Sequence, residues 1–473
     1  MDTECITEAI KFHPHNKREV VGKFDGGKIT SDGGSLLLRE VEQRTGIIEQ
    51  FSKCFTDYRN PVLTEHSVKE LIAQRVYALA LGYEDLNDHD ELRTDPTLAV
   101  LVGKDDPEGK HRLRERDRGM ALAGKSTLNR LELGKPGTVP SKGSYKKIII
   151  NPERVDKFFV DVFLQAYKIP PRQIVLDLDA TDDPLHGNQE GRFFHGYYKS
   201  YCYLPLYIFS GEHLLCARLR PSNIDASAGS VEELKRIVSR IRKRWPNVHI
   251  IIRGDSGFCR EEIMAWCEEH NVDYVLGLAK NSRLRKKIAQ ELAEAEAQYE
   301  TTGKSARLYN DFRYKTLKSW TRLRRVIGKA EHLSKGSNPR FIVTSLSRKE
   351  QDARSLYEKL YCARGDMENR IKEQQLYLFA DRTSTHYMDS NQIRLWFSSV
   401  AYVLLQTLRH IGLKGTKLAQ AQCHTIRLKL LKIGALIRIT VRKIWISFSE
   451  AYPYADLFRL VLQNIRRWQP LRC

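Results

Sequence analysis

No run of about 18 consecutive apolar residues occurs in this 473-residue chain, which excludes a membrane-spanning helix. The opening stretch MDTECITEAIKFHPHNKREV lacks the apolar core of a signal peptide, so a cytosolic protein is expected. Nine scattered cysteines form no CxxC pair, which leaves neither a zinc knuckle nor a disulfide framework. Acidic charge is also short: 58 Asp+Glu stand against 78 Lys+Arg, a net charge of +20. Such an excess points to a polyanionic partner. What the chain does have is apolar material, 41% hydrophobic residues with 6 Trp, 21 Tyr and 17 Phe, and this excludes global disorder. Its length implies more than one structural unit, on a prior of about 100 to 200 residues per domain.

The charge is unevenly placed. Residues 401–473 carry 13 Lys or Arg and only two acids, Glu450 and Asp456, whereas residues 171–280 carry 14 basic and 15 acidic residues. The pattern is that of an acidic working centre between basic, phosphate-gripping surfaces.

From about residue 28 to 135 the periodicity is mostly helical, as in TEHSVKELIAQRVYALALGYEDL, with Thr64 as a candidate cap. PGTVPSKGS (136–144) has the composition of a connector. Beyond it, IVLDLDA (174–180), SYCYLPLYIF (200–209) and HLLCARLRP (213–221) read as three successive strands. A helix (227–245), a strand (248–255), a helix (260–271) and a strand (273–279) follow. Three strands leading into αβαβ give a mixed sheet flanked by helices, an order that resembles the RNase H-like fold. Residues 281–338 read as an insertion, after which come a strand (340–346) and long helices over 350–379 and 391–413. The expected organisation is a mainly helical amino-terminal region (1–145), a catalytic-type domain in two parts (150–280 and 339–390) around the insertion, and a basic helical carboxy-terminal region (391–473). The internal repeats that would mark a solenoid are lacking.

Alternation along IVLDLDA puts Ile174, Leu176 and Leu178 on one side of the strand and Asp177 and Asp179 on the other. A carboxylate buried in a sheet costs several kcal/mol unless it is paired, hydrogen-bonded or bound to a cation, which makes both metal-ligand candidates. Asp182 and Asp183, before Pro184, fit ordinary turn chemistry. Asp255 ends the apolar strand HIIIRGD, where it either caps the next helix or meets Asp179 across neighbouring strands. In LYCARGDMENRIKEQQL, helical spacing groups Tyr361, Arg364, Glu368 and Lys372 on one face, either as a solvated ion-pair surface or as a ligand framed by phosphate-binding groups.

DLDAT with HGNQEG, then RGDSGF, then Tyr361-x2-Arg364-x3-Glu368, followed by ADRTSTHYMDSNQIRL, resembles the DDE transposases of bacterial insertion sequences over about residues 30–415. The resemblance implies that Asp179, Asp255 and Glu368 are the metal-binding catalytic triad and that Tyr361 and Arg364 belong to the signature helix. It also implies two Mg2+ ions, with Mn2+ as a substitute, serving both nicking and strand transfer. The implied partners are double-stranded DNA, as terminal inverted repeats and as target, and a second copy of the chain on paired ends, with no membrane involved. The family's signature has a lysine seven residues after the glutamate, where this chain has Gln375; Lys372 is the available substitute. A metal-dependent nuclease that does not join ends, or a noncatalytic DNA-binding descendant, are the alternative functions.

GMALAGKS (119–126) satisfies the phosphate-loop pattern G-x4-G-K-S, but it follows HRLRERDR rather than a buried strand, so nucleotide binding is not expected. His186 and His195 read as structural or phosphate-contacting groups. The run TIRLKLLKIGALIRITVRKIWISF alternates apolar and basic residues and reads as a DNA-facing element; Trp445, Trp468, Tyr452 and Tyr454 read as packing residues.

Overall fold

A computed structural model describes residues 9–141 and 143–469, which fall into two compact units. The first takes in the chain up to Ser52, then Arg59–Leu131 and Thr407–Gln469; the second comprises Lys53–Tyr58 and Glu132–Gln406.

The second unit is built on one nine-stranded mixed sheet. Eight of its strands are β1 (Gln173–Ala180), β2 (Leu206–Ser210), β3 (His213–Arg218), β4 (His249–Gly254), β5 (Asp273–Leu278), β6 (Ala306–Tyr314), β7 (Arg324–Leu333) and β8 (Arg340–Thr344). Their spatial order is β3-β2-β1-β4-β5-β8-β7-β6, and the two-residue strand Gly336–Ser337 pairs with β7. The first five strands give the antiparallel meander and parallel crossovers of an RNase H-like fold, with β1 and β4 as parallel neighbours. Residues 281–338 lengthen that sheet: β6 and β7 form a hairpin that continues it through β8.

Why β1 lies at the centre follows from its side chains. Leu176 and Leu178 are fully buried, packed with Ile250 and Ile252 of β4 beneath Leu234, Ile237 and Trp245 of the helix Ser230–Arg244 and its end. On the other face Ile251, Val275 and Ile342 pack against Leu356 and Tyr357, which start the helix carrying Glu368. Both faces of β1 and β4 are thus covered, as parallel strands require.

Several expectations meet a different outcome. SYCYLPLYIF is two strands, Ser200–Tyr203 in a small three-stranded sheet and β2 in the large one. Pro205 lies between them and cannot donate to a ladder. The helix Val68–Leu81 is capped by Ser67, not Thr64, through a capping box with Glu70. The run from 353 to 377 is not one regular helix, because π-helical turns at Leu356–Tyr361 and Glu373–Tyr377 and a 3-10 turn at Cys362–Arg364 interrupt it.

In the first unit, Ala435–Ile439 and Ile444–Phe448 are strands, not helix, and Trp445 is 46% exposed rather than packed in a core. They form a sheet with Lys28–Thr30. An antiparallel ribbon, Ile10–His15 with Arg18–Gly22, precedes them in the chain. Lys125 of the phosphate-loop look-alike starts a helix with no strand before it and pairs with Asp90 at 3.2 Å. Among the described residues no helix is long and apolar enough to cross a membrane.

Candidate active site

Asp177 and Asp179 leave β1 on the same side, but they have different surroundings. Arg253 of β4 stands directly opposite Asp177 in the parallel ladder, and its guanidinium meets both carboxylate oxygens, Nη2 donating to Oδ2 at 2.8 Å. The same guanidinium donates to the carbonyl of Leu360 and so ties β1 and β4 to the glutamate helix. Burial raises the Asp177 carboxyl, and Arg253 opposes that rise. Asp177 is therefore a paired core carboxylate.

Asp179 has no such partner in the ladder; its neighbour there is Tyr207 of β2. The closest cation is Arg364, 3.7 Å from Oδ2, while Oδ1 accepts the amide of Ala180 at 2.9 Å. Burial raises the Asp179 carboxyl to about 7; Arg364 opposes this, and Asp255 and Glu368 push it further up. Glu368 lies one turn beyond Arg364 on the helix and binds its Nη2 at 2.8 Å, with its side chain nearly half exposed. One guanidinium thus bridges two of the three acids singled out in the sequence.

Asp255 follows β4, and its Oδ1 accepts the amide of Gly257 at 2.8 Å. The capping reading is correct for that oxygen, with a short 3-10 turn as the object of the cap. It also lines a cavity of about 430 Å³ together with Gly277, Lys280, Arg340, Tyr361 and Arg364. Gly277 on β5 is needed there: a β-carbon at that position would lie 2.6 Å from the Tyr361 hydroxyl and 2.9 Å from the Ser256 amide.

The predicted Lys372 and the neighbouring Gln375 fall outside this group. Lys372 is exposed on the glutamate helix. Gln375, at the family's lysine position, donates to the carbonyl of Asp182 at 3.0 Å and holds the helix to the loop after β1. Asp183 is not turn chemistry: it is 1% exposed, lies in a short strand paired with Tyr203, and burial drives its carboxyl well up. Sequence reasoning missed Arg253, although its place two residues before Asp255 put it on the same face of the strand.

Among the described residues, no three His, Cys, Asp or Glu side chains come close enough together to form a finished metal cage. The donor set nevertheless suits a hard divalent ion. Asp179, Asp255 and Glu368 offer only oxygen, and Asp179 is raised first by burial and then by the charges of the other two acids, which places the three within electrostatic reach of one another.

The large mixed sheet flanked by helices is that of an RNase H-like DDE domain, with Asp179 on β1, Asp255 just after β4 and Glu368 on the helix Gly365–Lys372. The chain belongs to the family described as transposase DDE domain, group 1, which matches residues 12–470. It is a transposase, with the DNA binding and transposition that membership entails. No curated protein matches the chain.

Proposed function

We propose that this transposase cleaves DNA at the ends of an insertion sequence and joins the freed 3' ends to target DNA, with Asp179, Asp255 and Glu368 as its catalytic carboxylates. The observation that carries this reading is the Arg364 guanidinium between Asp179 and Glu368, with Asp255 near enough to raise the Asp179 carboxyl. When bound by these oxygens, two Mg2+ ions, or Mn2+ in their place, supply the activation of water or of a 3' hydroxyl and the neutralisation of the leaving oxygen.

The protein's own groups do the rest. Asp179 gives up the proton that burial favours at neutral pH, and Asp255 presents its second oxygen while the first stays on Gly257. Arg364 moves from carboxylate to phosphate as the strand enters, Tyr361 orders the same side of the cleft, and Lys372 grips the backbone at its exposed rim. No histidine base is needed. The enzyme acts in the bacterial cytoplasm, on the nucleoid, as a homodimer that pairs two ends, with residues 1–145 reading the terminal inverted repeats.

Mg2+-dependent cleavage of a duplex carrying the element's end, compared between the wild type and Asp255→Ala and Glu368→Ala, tests this. Lost cleavage with retained DNA binding in both variants, plus joined products from the wild type alone, is the expected result. Cleavage without joining would leave a nuclease, and binding without cleavage in all three proteins would leave a DNA-binding descendant.

A further inference from the structure

Close to the candidate active site stands a hairpin whose aromatic rings face outward. In the sequence GRFFHGYYKSY, strands Phe193–His195 and Ser200–Tyr203 pair, and their sheet is completed by Asp183–Pro184. Phe193 is 42% exposed, Phe194 59%, Tyr197 83% and Tyr201 47%. Four large rings on one short hairpin are more than scattered surface apolar residues, and they mark an interaction site.

The rings are held in place before any partner arrives. Phe194 meets Tyr201 edge-on at 5.6 Å, Tyr197 meets Tyr198 edge-on at 5.0 Å, and the Arg192 guanidinium lies 4.6 Å from the Tyr201 ring centre. Cys202 and Tyr203 anchor the base of the hairpin in the core, and Ser222 donates to the Phe193 carbonyl at 2.9 Å.

Two observations select the occupant. Residues 191–211 contain no Asp or Glu, while Arg192, His195 and Lys199 lie among the rings, so the surface complements a polyanion. The hairpin is also continuous with the acidic cleft: the Tyr198 hydroxyl donates to the carbonyl of Ala180, next to Asp179, at 3.3 Å. A paired duplex keeps its bases stacked inside and offers exposed rings only sugar and phosphate, whereas an unpaired strand offers a base face to each ring.

We infer that the hairpin of residues 193–201 is a stacking platform for a single-stranded stretch of DNA beside the scissile phosphate, with Phe194 and Tyr197 as base-contacting rings and Arg192 and Lys199 as phosphate contacts. This rests on the DNA-cleaving reading above and adds to it the strand state that the cleft receives.

The test measures fluorescence anisotropy of the full chain with a labelled oligothymidylate and with a mixed-sequence duplex of equal length. Removing both rings in Phe194→Ala/Tyr197→Ala weakens oligothymidylate binding about tenfold or more, as loss of base–aromatic stacking does, and changes duplex binding less than about twofold. The conservative pair Phe194→Trp/Tyr197→Trp keeps the wild-type affinity. If the double alanine variant does not fold, Tyr197→Ala, at the most exposed ring, carries the same comparison. Unchanged oligothymidylate affinity overturns the inference, as does an equal loss on both probes. A change from dimer to monomer in sedimentation with oligothymidylate binding intact overturns it too, since the rings would then belong to a contact between copies. Cleavage by the wild type of an end that carries an unpaired stretch at the scissile phosphate is scored separately. Its absence alongside a selective oligothymidylate loss overturns the cleavage reading alone, and its presence alongside unchanged affinity overturns the platform alone.

Discussion

Arg253 and Asp177 face each other across the β1–β4 ladder as a buried two-oxygen ion pair, with side chains 8% and 3% exposed. The pair accounts for one of two adjacent strand carboxylates and leaves the other, Asp179, to the cleft. Removing one member of such a pair strands an uncompensated charge, so Arg253→Ala destabilises the protein by about 3–5 kcal/mol in urea unfolding. Replacing both, as Asp177→Leu/Arg253→Met, recovers most of that loss. Recovery no better than the single variant would show that the bond to the Leu360 carbonyl, not the ion pair, carries the stability.

Gly277 is the floor under Tyr361 and the Asp255–Ser256 backbone. Gly277→Ala forces a β-carbon into contacts of 2.6 and 2.9 Å, so the helix or the Asp255 turn has to shift. Cleavage falls by about a hundredfold, because displacements of about 1 Å at a reacting centre have effects of that size. Bulk DNA affinity, read by filter binding, stays near that of the wild type. Wild-type cleavage in this variant would mean that the Tyr361 side of the cleft tolerates displacement.

Lys372 is exposed on the glutamate helix, whereas Gln375 is bonded to the Asp182 carbonyl, and the two predict different effects. Lys372→Ala lowers the slope of log affinity against log salt by about 1, the mark of one lost phosphate contact. Gln375→Ala leaves that slope alone and costs about 1 kcal/mol of stability through the lost bond to the Asp182 carbonyl. The reverse assignment of the two effects would place Gln375, not Lys372, at the DNA backbone.

Glu42 gives the first unit a pH dependence of definite sign. Burial raises its carboxyl from 4.5 to about 7, although the amides of Ile48 and Glu49 donate to it at 2.7 and 3.0 Å. Between those values the folded state binds the proton and the unfolded state has released it, so stability falls as pH rises. The loss from this group approaches about 3 kcal/mol by pH 7, at about 1.4 kcal/mol per unit. Glu42→Gln is flatter across the same window in thermal unfolding, and an identical slope in the two proteins would assign the dependence elsewhere.

The central sheet was legible in the chain because its signal is local. Alternation in IVLDLDA, the apolar strand HIIIRGD and the strong helix between them specify which residues point inward, and burial of Leu176, Leu178, Ile250 and Ile252 follows from that pattern. The candidate acids were legible for a related reason, since a carboxylate inside an apolar strand needs a partner. Pro205, by contrast, was visible and was read through, although its missing amide marks the end of one strand and the start of another.

What the sequence by itself determined was the order of strands around β1 and the residue types that reach its edge. Only the tertiary structure decided which acid is paired. Asp177 and Asp179 have the same alternation and the same strand, and their difference arises from register across the ladder, where Arg253 falls opposite one and Tyr207 beside the other. Likewise Gln375, within the π-helical turn Glu373–Tyr377, meets the loop after β1, whereas Lys372, just before that turn, stays at the surface. Asp183 lost its turn-like exposure to strand pairing with Tyr203. Spacing along one chain fixes faces, but a charge acquires its partner from another element, and that choice exists only once the elements have packed.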